Sequence, residues 1–241
     1  MEFLYGVEFY SLTKKQLDSM ILIGGIFMEN CCFCLEFQHH QVCTEVKEKY
    51  SVTNRILYED EDFVILPSVS PIVEKHLLLL PKKHINTMKQ LDNSEKERLL
   101  ALINCTTQHF DEDYFIFEHG AFPVNGNTCG VDHAHIHILP VRKCISELII
   151  AYIKKTYQAK FYMDFIFSLN DEKDKPYLLY GNSTHGIYSC NNAVFPSQFI
   201  RKLLCENLGI KEWNWRTFTN EHYFNIAISE LRGRIHGKNS P

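Results

Sequence analysis

Residues 133–140 read His-Ala-His-Ile-His-Ile-Leu-Pro, and this run constrains the fold more than any other stretch of the chain. Polar and apolar side chains alternate with period two, the pattern of a half-buried β-strand whose successive side chains face opposite sides. His133, His135 and His137 would stand on one face, about 6.8 Å between neighbours on the strand rise. Ala134, Ile136 and Ile138 would pack into a core behind them, and Pro140 would end the run by withholding a backbone donor. A helix fits poorly, because a two-residue step scatters side chains around its axis.

A strand of this kind needs neighbours, and the flanking sequence supplies them. Residues 55–60 and 62–68 read as two strands joined by an acidic turn, and the run 75–84 as a buried strand. Ser94 with Glu97 fits a capping box that opens an amphipathic helix to about Gln108, with Leu99, Leu100, Leu102 and Ile103 as its inner stripe. Residues 113–119 form another strand, and the Gly/Asn-rich loop 120–130 leads into the histidines. Beyond Pro140 the sequence predicts a helix over 145–157, a hairpin from 177–181 and 186–190, and a helix over 196–209 opened by Pro and closed by Gly. The order is strand-rich with one helix inserted, an α+β arrangement. We divide the chain into an N-terminal extension (1–28), a domain built around the histidines (29–143) and a C-terminal extension packed on it (144–241).

Composition narrows the function classes. A net charge of −4 gives no global attraction for nucleic acid, so any anion site must be local. Nine scattered cysteines are odd in number and make no disulfide framework; they point to a reducing, cytoplasmic setting. The apolar run 20–27 is too short to span a bilayer. Within 31–34, Cys31 and Cys34 have the C-x-x-C spacing that lets two thiolates share one zinc ion. A closed site needs two more ligands, and His84 and His133 are candidates.

Three histidines on one face allow two kinds of chemistry. Two or three imidazoles can bind a catalytic metal, as in cupins, with Asp132 or Glu118 as a carboxylate ligand. Alternatively, a neutral imidazole at 135 attacks phosphorus and forms a covalent intermediate, with neighbouring histidines and loop amides holding phosphate oxygens. Spacing alone does not choose between them.

The run His133-Ala-His135-Ile-His137-Ile-Leu also resembles the histidine-triad family of nucleotide hydrolases and transferases, whose motif is His-φ-His-φ-His-φ-φ with φ apolar. Residues 31–37 resemble the C-x-F-C opening of many members, and 56–85 resembles the segment carrying an upstream histidine and a Pro-Lys-x-His element. The resemblance covers about residues 31–140 and implies an antiparallel sheet with a packed helix. It implies that His135 is the nucleophile toward the α-phosphorus, that His137 orients it and that His76 is the fourth histidine. It further implies a structural zinc on Cys31, Cys34, His84 and His133. Ser68 stands where many members carry Asp or Asn for the ribose, Gly130 replaces a common serine, and Asn125 and Asn127 could contact phosphate. The approach Cys129-Gly130-x-Asp132 is similar to that of the uridylyltransferase branch. The implied partner is a nucleotide or dinucleotide, with neither nucleic acid nor membrane, and family members are commonly homodimers. A non-catalytic nucleotide sensor on the same fold is the alternative from a different functional class.

Overall fold

The segments Phe63–Pro67 (β2) and Leu77–Pro81 (β3) are apolar at every position and buried at every position. Strands of that kind must lie inside a sheet covered on both faces. The computed structural model, which describes residues 31–120, 133–171, 175–191 and 195–235, places them there. The helices Cys32–His39 (α1) and Thr44–Tyr50 (α2) come first, followed by Tyr58–Glu59 (β1), β2 and β3. A 3-10 turn at Met88–Gln90 precedes Asn93–Thr107 (α3), Tyr114–Gly120 (β4) and Ile136–Pro140 (β5). Then come Lys143–Thr156 (α4), Lys160–Tyr162 (β6), Phe165–Asn170 (α5), Tyr177–Asn182 (β7), Gly186–Asn191 (β8), Phe199–Leu208 (α6) and Glu221–Leu231 (α7).

Among the described residues eight strands form one sheet in the order β1-β2-β3-β5-β4-β7-β8-β6, and every neighbouring pair is antiparallel. The fold is α+β, and the C-terminal strands continue the sheet. β7 pairs along β4 from Phe115↔Asn182 to Gly120↔Tyr177, so the C-terminal segment is joined by a full ladder.

Period-two alternation sorts each strand between two cores. Ile65, Leu79, Ile116, Ile136, Ile138 and Leu179 point to one face, where Leu99, Leu102 and Ile103 of α3 cover them. On the other face two separate clusters form. Val64, Leu66, Leu78 and Leu80 meet Phe33 and Phe37 of α1. Phe115, Phe117, Leu139, Leu178 and Tyr180 meet Ile149 and Ile153 of α4 and Ile200 and Leu204 of α6. His137 of β5 lies between Leu78 on β3 and Phe117 on β4, in the seam between those clusters.

Three expectations need correction. The capping box of α3 is Asp92 with Glu95, not Ser94 with Glu97. The Asp92 carboxylate accepts the Glu95 N–H at 2.9 Å, and Glu95 accepts the Asp92 N–H at 2.7 Å. The Asp-Asn-Ser-Glu run satisfies the same spacing two residues earlier, which leaves Ser94 in the first turn. The strand expected over 55–60 shrinks to two residues, because Arg55 is tied to Glu36 and to the Pro67 carbonyl. β5 begins at Ile136, not His133. Ala134 donates its N–H to the Ile85 carbonyl at 2.7 Å, so the first histidines follow the loop after β3 before joining the ladder. The elements α1, α2, β6, α5 and α7 had no counterpart among the sequence expectations.

Candidate active site and metal centre

Residue 31 caps α1 and Cys34 lies one turn in, so both thiols leave the same end of the helix. His84, after β3, and His133, before the neighbouring β5, bring their rings to these thiols. The four ligand atoms lie within 4.8 Å of one another. His133 Nδ1 is 3.4 Å from Cys31 Sγ and 3.6 Å from Cys34 Sγ, and His84 Nδ1 is 3.3 Å from Cys34 Sγ. A tetrahedral ion with metal–sulfur bonds near 2.3 Å and metal–nitrogen bonds near 2.05 Å has sulfur–nitrogen edges of about 3.6 Å, so the spacings suit one ion. His133 Nε2 is 2.8 Å from the Pro81 carbonyl. A carbonyl only accepts, so Nε2 carries the proton and Nδ1 is left as a ligand lone pair. The Cys31 thiol is pushed down to about 3, first by a hydrogen bond from Cys34 and then by His133, and a metal ligand must be a thiolate. Phe33 and Phe37 pack edge-on against the His133 ring.

α1 is held in place by a buried ion pair. Arg55 Nε and NH2 donate to the two Glu36 carboxylate oxygens at 2.9 and 2.8 Å, and both side chains are 2% exposed. Arg55 NH1 donates to the Pro67 carbonyl at 3.0 Å, so one guanidinium joins α1 to the end of β2 beside Ser68.

Three further histidines form a chain whose protons are fixed by their partners. The Ile72 N–H donates to His76 Nδ1 at 3.4 Å, which leaves the proton of neutral His76 on Nε2. His76 Nε2 lies 2.9 Å from His137 Nδ1 and donates to it, so His137 carries its own proton on Nε2. His135 Nδ1 donates to the His133 carbonyl at 2.8 Å, leaving Nε2 as a lone pair. Each ring is held neutral: burial pushes down His76, His135 and His137, and the Arg201 charge adds to this at His76 and His137. The His137 ring stacks flat on Phe117, with centroids 4.2 Å apart. The His135 ring sits 5.1 Å from His137 and 6.1 Å from Phe33. His76 is delivered by a turn in which Lys75 adopts a left-handed φ of 57°. That conformation is braced by Lys75 Nζ bonding to the His109 carbonyl at 3.2 Å and to Glu230 at 3.0 Å.

The structure thus brings His76, His135 and His137 together and sends His133 to the cysteines. Two details differ from expectation. The His133 carbonyl, not the His137 ring, holds Nδ1 of His135. Glu118 is no ligand for the triple-histidine run, because it points to the opposite face of β4, where the Met88 N–H and the Tyr177 hydroxyl bond to it. Among the described residues, the cysteine–histidine group is the one cluster suited to a metal. Ser68 is buried at the end of β2, with its N–H on the His76 carbonyl at 2.9 Å. Asn125, Asn127, Cys129, Gly130 and Asp132 lie outside the described residues. Sequence reasoning missed His119. Two residues beyond Phe117, it shares the face of His135 and His137, its ring lies edge-on to Phe195 of the C-terminal segment, and burial pushes it down to about 4. Period two along β4 was the signal that could have found it.

The HIT domain model matches residues 49–144. An uncharacterized HIT-like protein of Chlamydia muridarum is 31% identical over 86 residues, 34% of this chain and 68% of that protein. The chain belongs to the HIT family. Other similar HIT proteins include the adenosine 5′-monophosphoramidase HINT3 of Xenopus tropicalis, 25% identical over 118 residues, 46% of this chain and 67% of that one. Among solved structures, a hypothetical histidine triad nucleotide-binding protein from Sulfolobus tokodaii covers 85% of this HIT chain and 91% of its own length, with 15% identity and a TM-score of 0.41. Among the described residues of this HIT protein, no helix is long and apolar enough to cross a membrane.

Proposed function

We propose that this HIT protein is a nucleotide hydrolase or nucleotidyltransferase that works through a nucleotidyl-His135 intermediate. The observation that carries the reading is the His135 Nδ1 bond to the His133 carbonyl, which leaves Nε2 unprotonated and nucleophilic. The Nε2 lone pair forms a bond to the α-phosphorus, and the bond from phosphorus to the leaving group breaks. The leaving group departs with that electron pair and takes a proton from solvent. Water, which gives up a proton to solvent, or a phosphorylated acceptor then attacks phosphorus, the N–P bond breaks, and its electrons return to Nε2. His137, set by His76 as an Nε2–H donor, offers that proton to a phosphoryl oxygen as charge builds up. Because the HINT3 relative is named an adenosine 5′-monophosphoramidase, adenosine 5′-phosphoramidate is the first substrate to try.

Cys31, Cys34, His84 and His133 would hold a zinc ion with all four positions filled by protein, a structural role. His133 would then be fixed through its ring while its carbonyl orients His135. The proposed cytoplasmic setting rests on the odd number and scattered placement of the cysteines in the sequence. The boundaries 29–143 and 144–241 are retained as the catalytic segment and its extension, with the extension supplying β6, β7 and β8 to the common sheet.

The test mixes enzyme with adenosine 5′-phosphoramidate, denatures it rapidly at alkaline pH and weighs the intact protein for a nucleotidyl increment. Wild type should show the increment and release AMP, while His135→Ala should show neither and still fold. Undiminished turnover by His135→Ala removes the mechanism. Binding without adduct or product across a panel of nucleoside phosphate derivatives favours the sensor instead.

A further inference from the structure

The relay His76–His137 is backed by a buried cation that belongs to the C-terminal segment. Arg201, on α6, is 4% exposed, and among the described residues no carboxylate forms an ion pair with it. A guanidinium hidden without an acid is costly unless its N–H groups are used by other acceptors. Two backbone carbonyls use them. Nε donates to the Trp213 carbonyl, and NH2 donates to the Ser70 carbonyl.

Those two carbonyls belong to segments tied to each other and to the site. Ser70 lies in the turn between β2 and β3 that carries Ser68, Ile72 and His76, and its hydroxyl shares its one proton between the carbonyls of Trp215 and Phe218. Gln198, next to α6, accepts the Trp215 N–H at 3.0 Å, and Lys49 of α2 donates to the Trp215 carbonyl at 3.0 Å. The strap 213–218 and the Ser70 turn therefore form one unit with Arg201 at its centre. From that unit the Ile72 N–H fixes the tautomer of His76, and His76 fixes that of His137.

We propose that Arg201 is a positioning residue that sets the proton arrangement of the His76–His137 relay from the C-terminal segment, by holding the Ser70–His76 turn. The inference rests on the proposed hydrolase reading for its catalytic consequence, but its structural half stands apart from any activity. Its charge also counts: after burial, Arg201 is the cause that keeps His76 neutral, and it acts on His137 in the same direction. Removing the anchor frees Ile72 to move, and His76 can then present either ring nitrogen to His137.

The experiment compares Arg201→Met, Arg201→Lys and the control Lys202→Met, whose side chain is exposed on the same helix. Long-range nitrogen–proton correlation on histidine-labelled protein reads the tautomers of His76 and His137 directly. Turnover of adenosine 5′-phosphoramidate is measured alongside. Wild type and Lys202→Met should show single Nε2–H tautomers at both rings. Arg201→Met should show mixed tautomers, with kcat reduced on the order of 100-fold and KM within about threefold, the scale expected when a reacting group is displaced by about 1 Å. Arg201→Lys keeps the charge and one anchor, so it should fall between. If Arg201→Met does not fold, the lysine variant carries the test. Unaltered tautomers and unaltered kcat in a folded Arg201 variant overturn the proposal, as do mixed tautomers in wild type. Should wild type fail to turn over the substrate while the tautomers shift as expected, the hydrolase reading fails and the positioning role stands.

Discussion

Glu118 gives the protein a pH-dependent stability whose size follows from its surroundings. Its carboxyl is 1% exposed on the core face of β4. One oxygen accepts the Met88 N–H at 2.9 Å, the Tyr177 hydroxyl bonds to the other, and Lys89 Nζ lies 4.0 Å from the centre of the Tyr177 ring. Burial outweighs these partners and pushes the group from its ordinary 4.5 up to about 7. At about 1.36 kcal/mol per pH unit, that gap corresponds to roughly 3 kcal/mol. Between those two pH values the folded chain holds a proton that the unfolded chain has released, so stability falls as pH rises. The contribution is complete below about 4.5 and gone once pH has risen through about 7. Glu118→Gln imitates the protonated acid. Its Oε1 still accepts the Met88 N–H, and its Nε2 can donate to the Tyr177 oxygen. Urea unfolding followed by tryptophan fluorescence at pH 5, 7 and 8.5 should show the two proteins within about 1 kcal/mol at pH 5. At pH 8.5 the variant should be the more stable by about 2–3 kcal/mol. Parallel stability curves across that range would refute the reasoning. So would a uniform loss at every pH, which would mean that the carboxylate is ionised throughout and held by Lys89.

Three other outcomes are expected. Arg55→Met strands the Glu36 carboxylate in the interior and should cost about 3–5 kcal/mol, while the pair Glu36→Leu with Arg55→Met should regain most of it; a double-mutant cycle by denaturant measures the coupling, and additive losses would sink the claim. Cys34→Ser should lower the zinc content below one ion per chain by atomic emission and lower the melting temperature, and unchanged metal content would exclude the four-ligand site. His76→Phe keeps the ring volume but removes the bond to His137, so kcat should drop roughly 10- to 100-fold with the fold intact by circular dichroism, and unchanged kcat would exclude the relay.

The strands nearest the histidines were legible because their patterns are unambiguous. β2 and β3 are runs of Val, Ile and Leu, the β7–β8 hairpin brackets a turn-rich stretch, and Pro140 ends β5 where its missing donor requires. The grouping of Cys31, Cys34, His84 and His133 was also expected, through resemblance more than spacing, since a lone C-x-x-C fixes only half of a tetrahedron. What escaped was set by distant parts of the chain. The early break at 133–135 depends on a bond to Ile85, 49 residues upstream of Ala134. The orienting role of a main-chain carbonyl at His133 has no side-chain mark at all. β6 is three residues long and α5 only six, too short for periodicity to register. The value of Arg201 comes from two carbonyls that folding brings to it, and nothing in the residue pattern of its helix marks it.

The ladder between β4 and β7 has a consequence for synthesis. β4 is complete at Gly120, but its partner does not begin until Tyr177, so a growing chain carries a long, apolar strand with one side bare while the intervening residues emerge. Such an edge invites pairing with other nascent copies. A ribosome that stops early therefore releases a sticky, unfinished sheet, and the histidine relay acquires its rear support only when translation has passed Phe218.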